Sequence, residues 1–119
     1  MAKHILVVDD DEYIRELYVE VLKDAGYTVD SAIDGQDGYD KISATTYDLI
    51  MLDIMMPKMD GVELLKKLAS NNIHPRVVLL TNLAHDPVMK EGKELGALAY
   101  LIKADMTPDQ LLDQIKKYL

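Results

Sequence analysis

Apolar and polar residues alternate along this chain in two rhythms. The first apolar run, "HILVVD" at 4–9, is short, β-branched-rich and bounded by polar residues, the pattern of a strand buried on both faces. Ile14, Leu17, Tyr18, Val21, Leu22 and Ala25 then recur at helical spacing, and Gly26 supplies a stop. "YTVDSA" (27–32) alternates and reads as a more exposed strand, 34–45 as a helix capped by Asp34, and "YDLIMLD" (47–53) as another buried strand. The loop "IMMPKMDG" leads into a helix over 61–70, with Asp60 and Glu63 as an acidic version of a capping box. "RVVLLT" (76–81) predicts a fourth strand, and Asp86 with Pro87 opens a helix that Gly96 ends. "ALAYLIK" (97–103) predicts the fifth strand, after which Thr107, Pro108 and Gln110 open a helix running to the C-terminus.

Strands alternating with helices in this way call for a parallel sheet covered on both sides, with right-handed crossovers. The polar character of the second strand places it at an edge. The expected fold class is therefore α/β: a flavodoxin-like (βα)5 doubly wound arrangement, its five-stranded parallel sheet in the order 2-1-3-4-5 with helices on both faces. No repeat, low-complexity tract or Gly/Ser linker interrupts the chain, so one domain over 1–119 is expected.

Composition narrows the chemistry. The 119 residues, 49% hydrophobic and 29% charged, suffice for a core without staples, and the lack of cysteine removes disulfides, thiol catalysis and Cys-ligated zinc. A net charge of −8 with scattered basic residues argues against a nucleic-acid surface and favours a cation or a basic partner. The start "MAKHILVV" has the character of neither a signal peptide nor a membrane span, which makes the cytoplasm the default expectation.

The ends of the apolar runs carry the candidate chemistry. The first run ends in Asp9-Asp10, the third in Asp53, the fourth in Thr81 and the fifth in Lys103. In a parallel sheet these ends share one edge, and ligands bind where the strand order reverses, between the first and third strands. Asp9, Asp10 and Asp53 are thus expected to converge in one cleft, with Thr81 and Lys103 on its far wall. Repulsion of roughly 4 kcal/mol per close carboxylate pair calls for a hard divalent cation. Mg²⁺ accepts such ligands and leaves positions open for phosphate oxygens. A carboxylate beside it can attack phosphorus to give an aspartyl phosphate, with Lys103 as a second positive charge and Thr81 as a hydroxyl donor. Asp11 has a different reading, as a helix cap.

In order and length the whole chain resembles the receiver domain of bacterial two-component response regulators, the CheY-like family. The matching pieces are "VVDD" with Asp9 and Asp10, "LIMLDIMMPKMDG" around Asp53, Thr81 after "VVLL", and "AYLIK" with Tyr100 and Lys103. The resemblance implies that Asp53 is the phosphoacceptor, charged by a sensor histidine kinase or phosphotransfer protein. It implies that Asp10, Asp53 and the main-chain carbonyl of Met55 ligate Mg²⁺ (or Mn²⁺), with Asp9 acting through a bound water. Thr81 and Tyr100 are then the switch pair, and the face of the fourth helix, fifth strand and fifth helix signals to a downstream protein or output domain. A homodimer formed on phosphorylation is a further possible partner; direct nucleic-acid contact and membrane association are not expected.

Two positions depart from the family pattern, and two more bear on its chemistry. Ala104 stands where proline, with a cis bond, usually follows the lysine. A cis bond before alanine costs about 3–4 kcal/mol, so a trans link and a reshaped "KADMTP" loop are expected. Asn82 replaces a common alanine and either crowds the site or adds a hydrogen bond. Met55 and Leu83 are apolar where relatives tune phosphate loss, which predicts slow self-hydrolysis. His4, His74 and His85 lack metal-ligand spacing and are expected to face solvent; Met55, Met56 and Met59 are candidates for a soft contact surface.

Other function classes fit less well. A Mg²⁺-dependent phosphatase wants a second acid where Met55 stands and a substrate cap. A flavin-mononucleotide binder wants a phosphate loop where "DDDE" stands. A pseudo-receiver, binding partners without phosphorylation, is disfavoured by the intact acid set but compatible with Ala104.

Overall fold

A computed structural model describes residues 2–82 and 87–119 of the chain, the side chains of 87–89 and 104 excepted. Strands β1 (His4–Val8), β2 (Thr28–Ala32), β3 (Leu49–Asp53), β4 (Val77–Thr81) and β5 (Ala99–Ile102) alternate with helices α1 (Glu12–Asp24), α2 (Gly35–Ala44), α3 (Gly61–Ser70), α4 (Pro87–Glu94) and α5 (Pro108–Lys116). All strand pairs are parallel, in the order β2-β1-β3-β4-β5.

The helices begin where short polar side chains take up backbone N–H groups that no helical turn can satisfy. Asp11, Asp34 and Asp60 accept from the N–H groups of Ile14, Asp37 and Glu63 at 3.0, 2.8 and 2.8 Å. Thr107 and Gln110 form both bonds of the expected capping box. Asp86, expected to cap α4, lies outside the described residues.

Side chains of successive strand residues point to opposite faces, and this divides the core in two. Leu6, Val8, Ile50, Leu52, Val77 and Leu79 pack with Ile42 of α2 and Leu64, Leu65 and Leu68 of α3. Ile5, Val7, Leu49, Met51, Val78 and Leu80 pack with Tyr18 and Leu22 of α1 and Leu111 and Ile115 of α5. On the first face α4 comes so close that a Cβ on Gly92 would lie 2.3 Å from Leu79 Cδ1.

Four expectations are corrected. The fifth strand is shorter than 97–103, because Lys103 begins a 3-10 turn, Lys103–Asp105. The last helix stops at Lys116 rather than at the terminus. His4 does not face solvent: its ring packs on Tyr47 with centroids 4.5 Å apart, and Nε2 lies 2.9 Å from Asp30 Oδ2, which also accepts from the Tyr47 hydroxyl at 2.8 Å. The flat imidazole covers an aromatic ring at the N-terminal edge of the sheet, which buries more apolar area than exposure would. Of the methionines after Asp53, only Met55 is exposed; Met56 is buried and Met59 packs against the core. His74 is exposed as expected, and His85 lies outside the described residues.

The loop after β3 is closed tightly. Gly61 donates its N–H to the Ile54 carbonyl at 2.9 Å, Met59 donates to Pro57 at 2.7 Å, and Lys58 takes φ 67° to make the turn. A Cβ at Gly61 would lie 2.7 Å from the Asp53 carbonyl oxygen, a backbone atom that cannot swing aside. Gly61→Ala is expected to lower stability by about 1–3 kcal/mol, read as a lower urea midpoint at unchanged slope. An unchanged midpoint would show that the loop relaxes freely.

Candidate functional site

The strand register brings the site together. Asp53 ends β3 beside Leu80 of β4, Asp9 follows Val8, which pairs with Leu52, and Lys103 follows Ile102, which pairs with Thr81. Alternation puts Asp9 and Asp53 on the face of Ile5, Val7, Leu49 and Met51, the face covered by α1 and α5. Asp9, Asp10 and Asp53 each bring a carboxylate oxygen within 4.8 Å of the others, the one group among the described residues able to hold a metal ion.

The three acids differ in environment. Asp9 is 0% exposed, and both its oxygens are engaged: Oδ2 accepts from Lys103 Nζ at 2.7 Å and Oδ1 from the Asp11 N–H at 3.0 Å. Asp10 is exposed at the rim, with its carboxylate still within 4.8 Å of those of Asp9 and Asp53. Asp53 is buried; its Oδ1 accepts from the Met55 N–H at 3.3 Å and lies 3.4 Å from Lys103 Nζ. Lys103 therefore does not line a far wall. It reaches across the cleft and stands between two carboxylates.

Charge and burial set the protonation states. Burial pushes the Asp53 carboxyl up to about 7, with the charge of Asp9 in the same direction and Lys103 opposing. For Lys103 burial works against the ammonium, but the bond to Asp9 and the nearby charges outweigh it and hold its pKa above the ordinary lysine value. Burial also raises the phenol of Tyr18, an α1 residue whose hydroxyl feels Lys103, Asp9 and Asp53.

Thr81 is 0% exposed and follows the alternation of Val77 and Leu79, so it belongs to the opposite face. Tyr100 is 40% exposed, with Lys93 of α4 5.7 Å from its ring centroid. Met55 is 58% exposed, and Leu83 lies outside the described residues. Asn82 is exposed and borders the cleft beside Lys103. No cis peptide bond occurs among the described residues, in line with the trans link expected at Ala104.

Two side chains escaped the sequence reading. Arg15 donates to the main-chain carbonyl of Asp9 at 2.9 Å and pins the turn between β1 and α1. Tyr18 looked like an ordinary core position of α1. Neither carries a local signal, since each acts on residues brought near only by the packing of α1 on the sheet.

The sequence model for the family described as "Response regulator receiver domain" matches residues 5–116. Sporulation initiation phosphotransferase F of Bacillus subtilis is 37% identical over 119 residues, covering 100% of this chain and 95% of that protein. Transcriptional regulatory protein DltR of Streptococcus agalactiae is 38% identical over 112 residues, and there the chain spans only 50% of the relative's length. Among solved structures, response regulator protein TrrA of Thermotoga maritima, in complex with Mg²⁺ and BeF, superposes with a TM-score of 0.85 at 35% identity, covering 98% of this chain and 99% of that one.

The raised Asp53 pKa has a stability consequence. The unfolded carboxyl titrates near 3.8 and the folded one near 7, so between these values the native state holds the extra proton. Without a divalent cation, stability from this group is present at low pH and is lost as pH rises through 7. Asp53→Asn is expected to melt higher than wild type at pH 8, by up to about 4 kcal/mol, with the gap closing towards pH 4 and narrowing when Mg²⁺ is added. A gap independent of pH would contradict this origin.

Proposed function

The chain belongs to the response regulator receiver domain family, and on that footing we propose that it is the phosphoacceptor switch of a two-component system, with Asp53 as the acceptor. The observation that carries the proposal is the meeting of three carboxylates within 4.8 Å, with the Lys103 ammonium between Asp9 and Asp53. One carboxylate stands ready as nucleophile, and one cation is already placed against the charge that a phosphoryl group would bring.

In the proposed transfer an oxygen of Asp53 attacks the phosphorus of a phosphohistidine on a sensor histidine kinase or phosphotransfer protein. A P–O bond forms, the P–N bond breaks, and the imidazole nitrogen keeps the electron pair and takes a proton. Mg²⁺ or Mn²⁺, when bound, supplies charge neutralisation for the transferring group. Its holders are Asp10 and Asp53 with the main-chain carbonyl of Met55. Asp9, both of whose oxygens are engaged, would act on the ion through water. Lys103 neutralises a phosphoryl oxygen, and ionised Asp53 is the attacking form, so loss of its proton precedes transfer.

Thr81 and Tyr100 are proposed as the switch pair. What supports this is that both follow the alternation of the face that α4 covers, where Lys93 of α4 lies 5.7 Å from the Tyr100 ring centroid. The signal then passes through the face of α4, β5 and α5 to a downstream protein or output domain, or to a second copy. The chain is taken as one receiver domain over 1–119, working in the cytoplasm without touching nucleic acid or membrane; no helix of the described residues is long and apolar enough to cross one.

Acetyl phosphate with Mg²⁺ is expected to add one phosphoryl group to the wild type, seen by intact mass, and none to Asp53→Asn. Absence of an adduct despite Mg²⁺ binding would leave a pseudo-receiver, and steady ester turnover a phosphatase. The Met55 side chain, exposed beside Asp53, cannot orient an attacking water. Met55→Asn is therefore expected to shorten the phosphate half-life by roughly tenfold, the scale of about 1.4 kcal/mol off a barrier. An unchanged half-life would remove Met55 from the account of hydrolysis.

A further inference from the structure

Lys103 borders a cleft with a polar wall that the proposed transfer has not used. Side-chain alternation puts the Asp9 and Asp53 carboxylates on the sheet face covered by α1 and α5, and Tyr18 is one of the two buried α1 residues packed on that face. Tyr18 borders a cleft of about 270 Å³ together with Leu17, Asn82, Lys103, Met106 and Pro108. Its ring is packed in the core at 7% exposure, while its hydroxyl oxygen is not fully sealed from solvent. Among the described residues the hydroxyl makes no hydrogen bond, although the charges of Lys103, Asp9 and Asp53 all act on it. A tyrosine held this far inside a core ordinarily finds a partner for its hydroxyl.

Lys103 has the matching vacancy. An ammonium carries three N–H donors. Here one goes to Asp9 at 2.7 Å and one faces Asp53 at 3.4 Å. The backbone around the lysine is not stiffened by proline, since a 3-10 turn through Ala104 follows it directly. The aim of the ammonium then depends on what its stem and head touch.

We propose that Tyr18 is a positioning residue for Lys103: its ring backs the lysine stem, and its hydroxyl oxygen accepts the ammonium's remaining N–H while the other donors pass from Asp9 and Asp53 to the oxygens of the incoming phosphoryl group. The inference rests on the reading of Asp53 as phosphoacceptor. Tyr18 touches neither the donor nor the reacting atoms. It fixes where the positive charge stands when the P–O bond forms.

The test is a double-mutant cycle on the initial rate of phosphorylation by acetyl phosphate at saturating Mg²⁺, followed by intact mass. Tyr18→Phe keeps the ring and its packing and removes only the hydroxyl. It is expected to slow phosphorylation about fivefold to tenfold, the scale of one hydrogen bond to a charged group, with the melting temperature and Mg²⁺ affinity held. In a Lys103→Met background the same change is expected to do less than about twofold, because the group it positions is gone. A purely structural role would slow both backgrounds alike. The ¹⁵N signal of the Lys103 ammonium gives a second reading, sharp in the wild type and broadened by exchange in Tyr18→Phe. A wild-type rate in Tyr18→Phe, equal losses in the two backgrounds, or an unchanged ammonium signal each overturns the inference. A wild type that takes no phosphate at all instead refutes the receiver reading on which the inference stands.

Discussion

Asp9 and Lys103 are both almost wholly removed from water, and their side chains meet at 2.7 Å. Neither charge is tolerable there alone: the effective desolvation penalty is several kcal/mol per ion, and removing one partner of such a pair destabilises by about 3–5 kcal/mol. The pair ties the end of β1 to the end of β5 across the width of the site. It also settles what the remaining acids do. Asp53 inherits a cleft that already contains one balanced charge pair, so burial dominates its titration and its carboxyl holds a proton near neutrality. A divalent cation beside the lysine would favour the ionised carboxylate, because each added positive charge offsets the burial that holds the proton on.

The surroundings hold this arrangement at the backbone level. Arg15 fixes the Asp9 carbonyl, Asp11 caps α1 and so leaves the run of acids, and Gly61 lets α3 press against the Asp53 carbonyl. Three adjacent aspartates thus have three environments: one buried in an ion pair, one open at the rim, one spent on a helix. Side-chain alternation also sorts the strand-end residues between the two sides of the sheet. Asp9 and Asp53 belong with α1 and α5, whereas Thr81 and Tyr100 follow the side that α4 covers.

Much of this was legible in the order of residues. The alternation of buried runs with helical spacing was enough for the parallel sheet and its 2-1-3-4-5 order, because strand length, period and the polarity of the edge strand are local properties. The helix starts were equally readable at Asp11, Asp34 and Thr107, since a cap and its N–H partner lie three residues apart. The acids at strand ends followed from topology, as every C-terminal end in a parallel sheet faces the same edge. Where reading failed, the cause was contact between distant segments. His4 looked like a surface histidine until Asp30 and Tyr47 came beside it, and Met56 looked like part of a contact loop until the loop folded inward.

The sequence by itself thus determined which residues end the strands and which chemistry their types allow, because hydrophobic period and capping act over a few positions. Tertiary structure alone decided that Lys103 crosses to Asp9, that Asp10 stays exposed while Asp9 is sealed in, that Arg15 pins the first turn and that Tyr18 shares a cleft with the lysine. Each of those depends on contacts between distant segments, set by the packing of two whole faces, which no short stretch of the chain encodes.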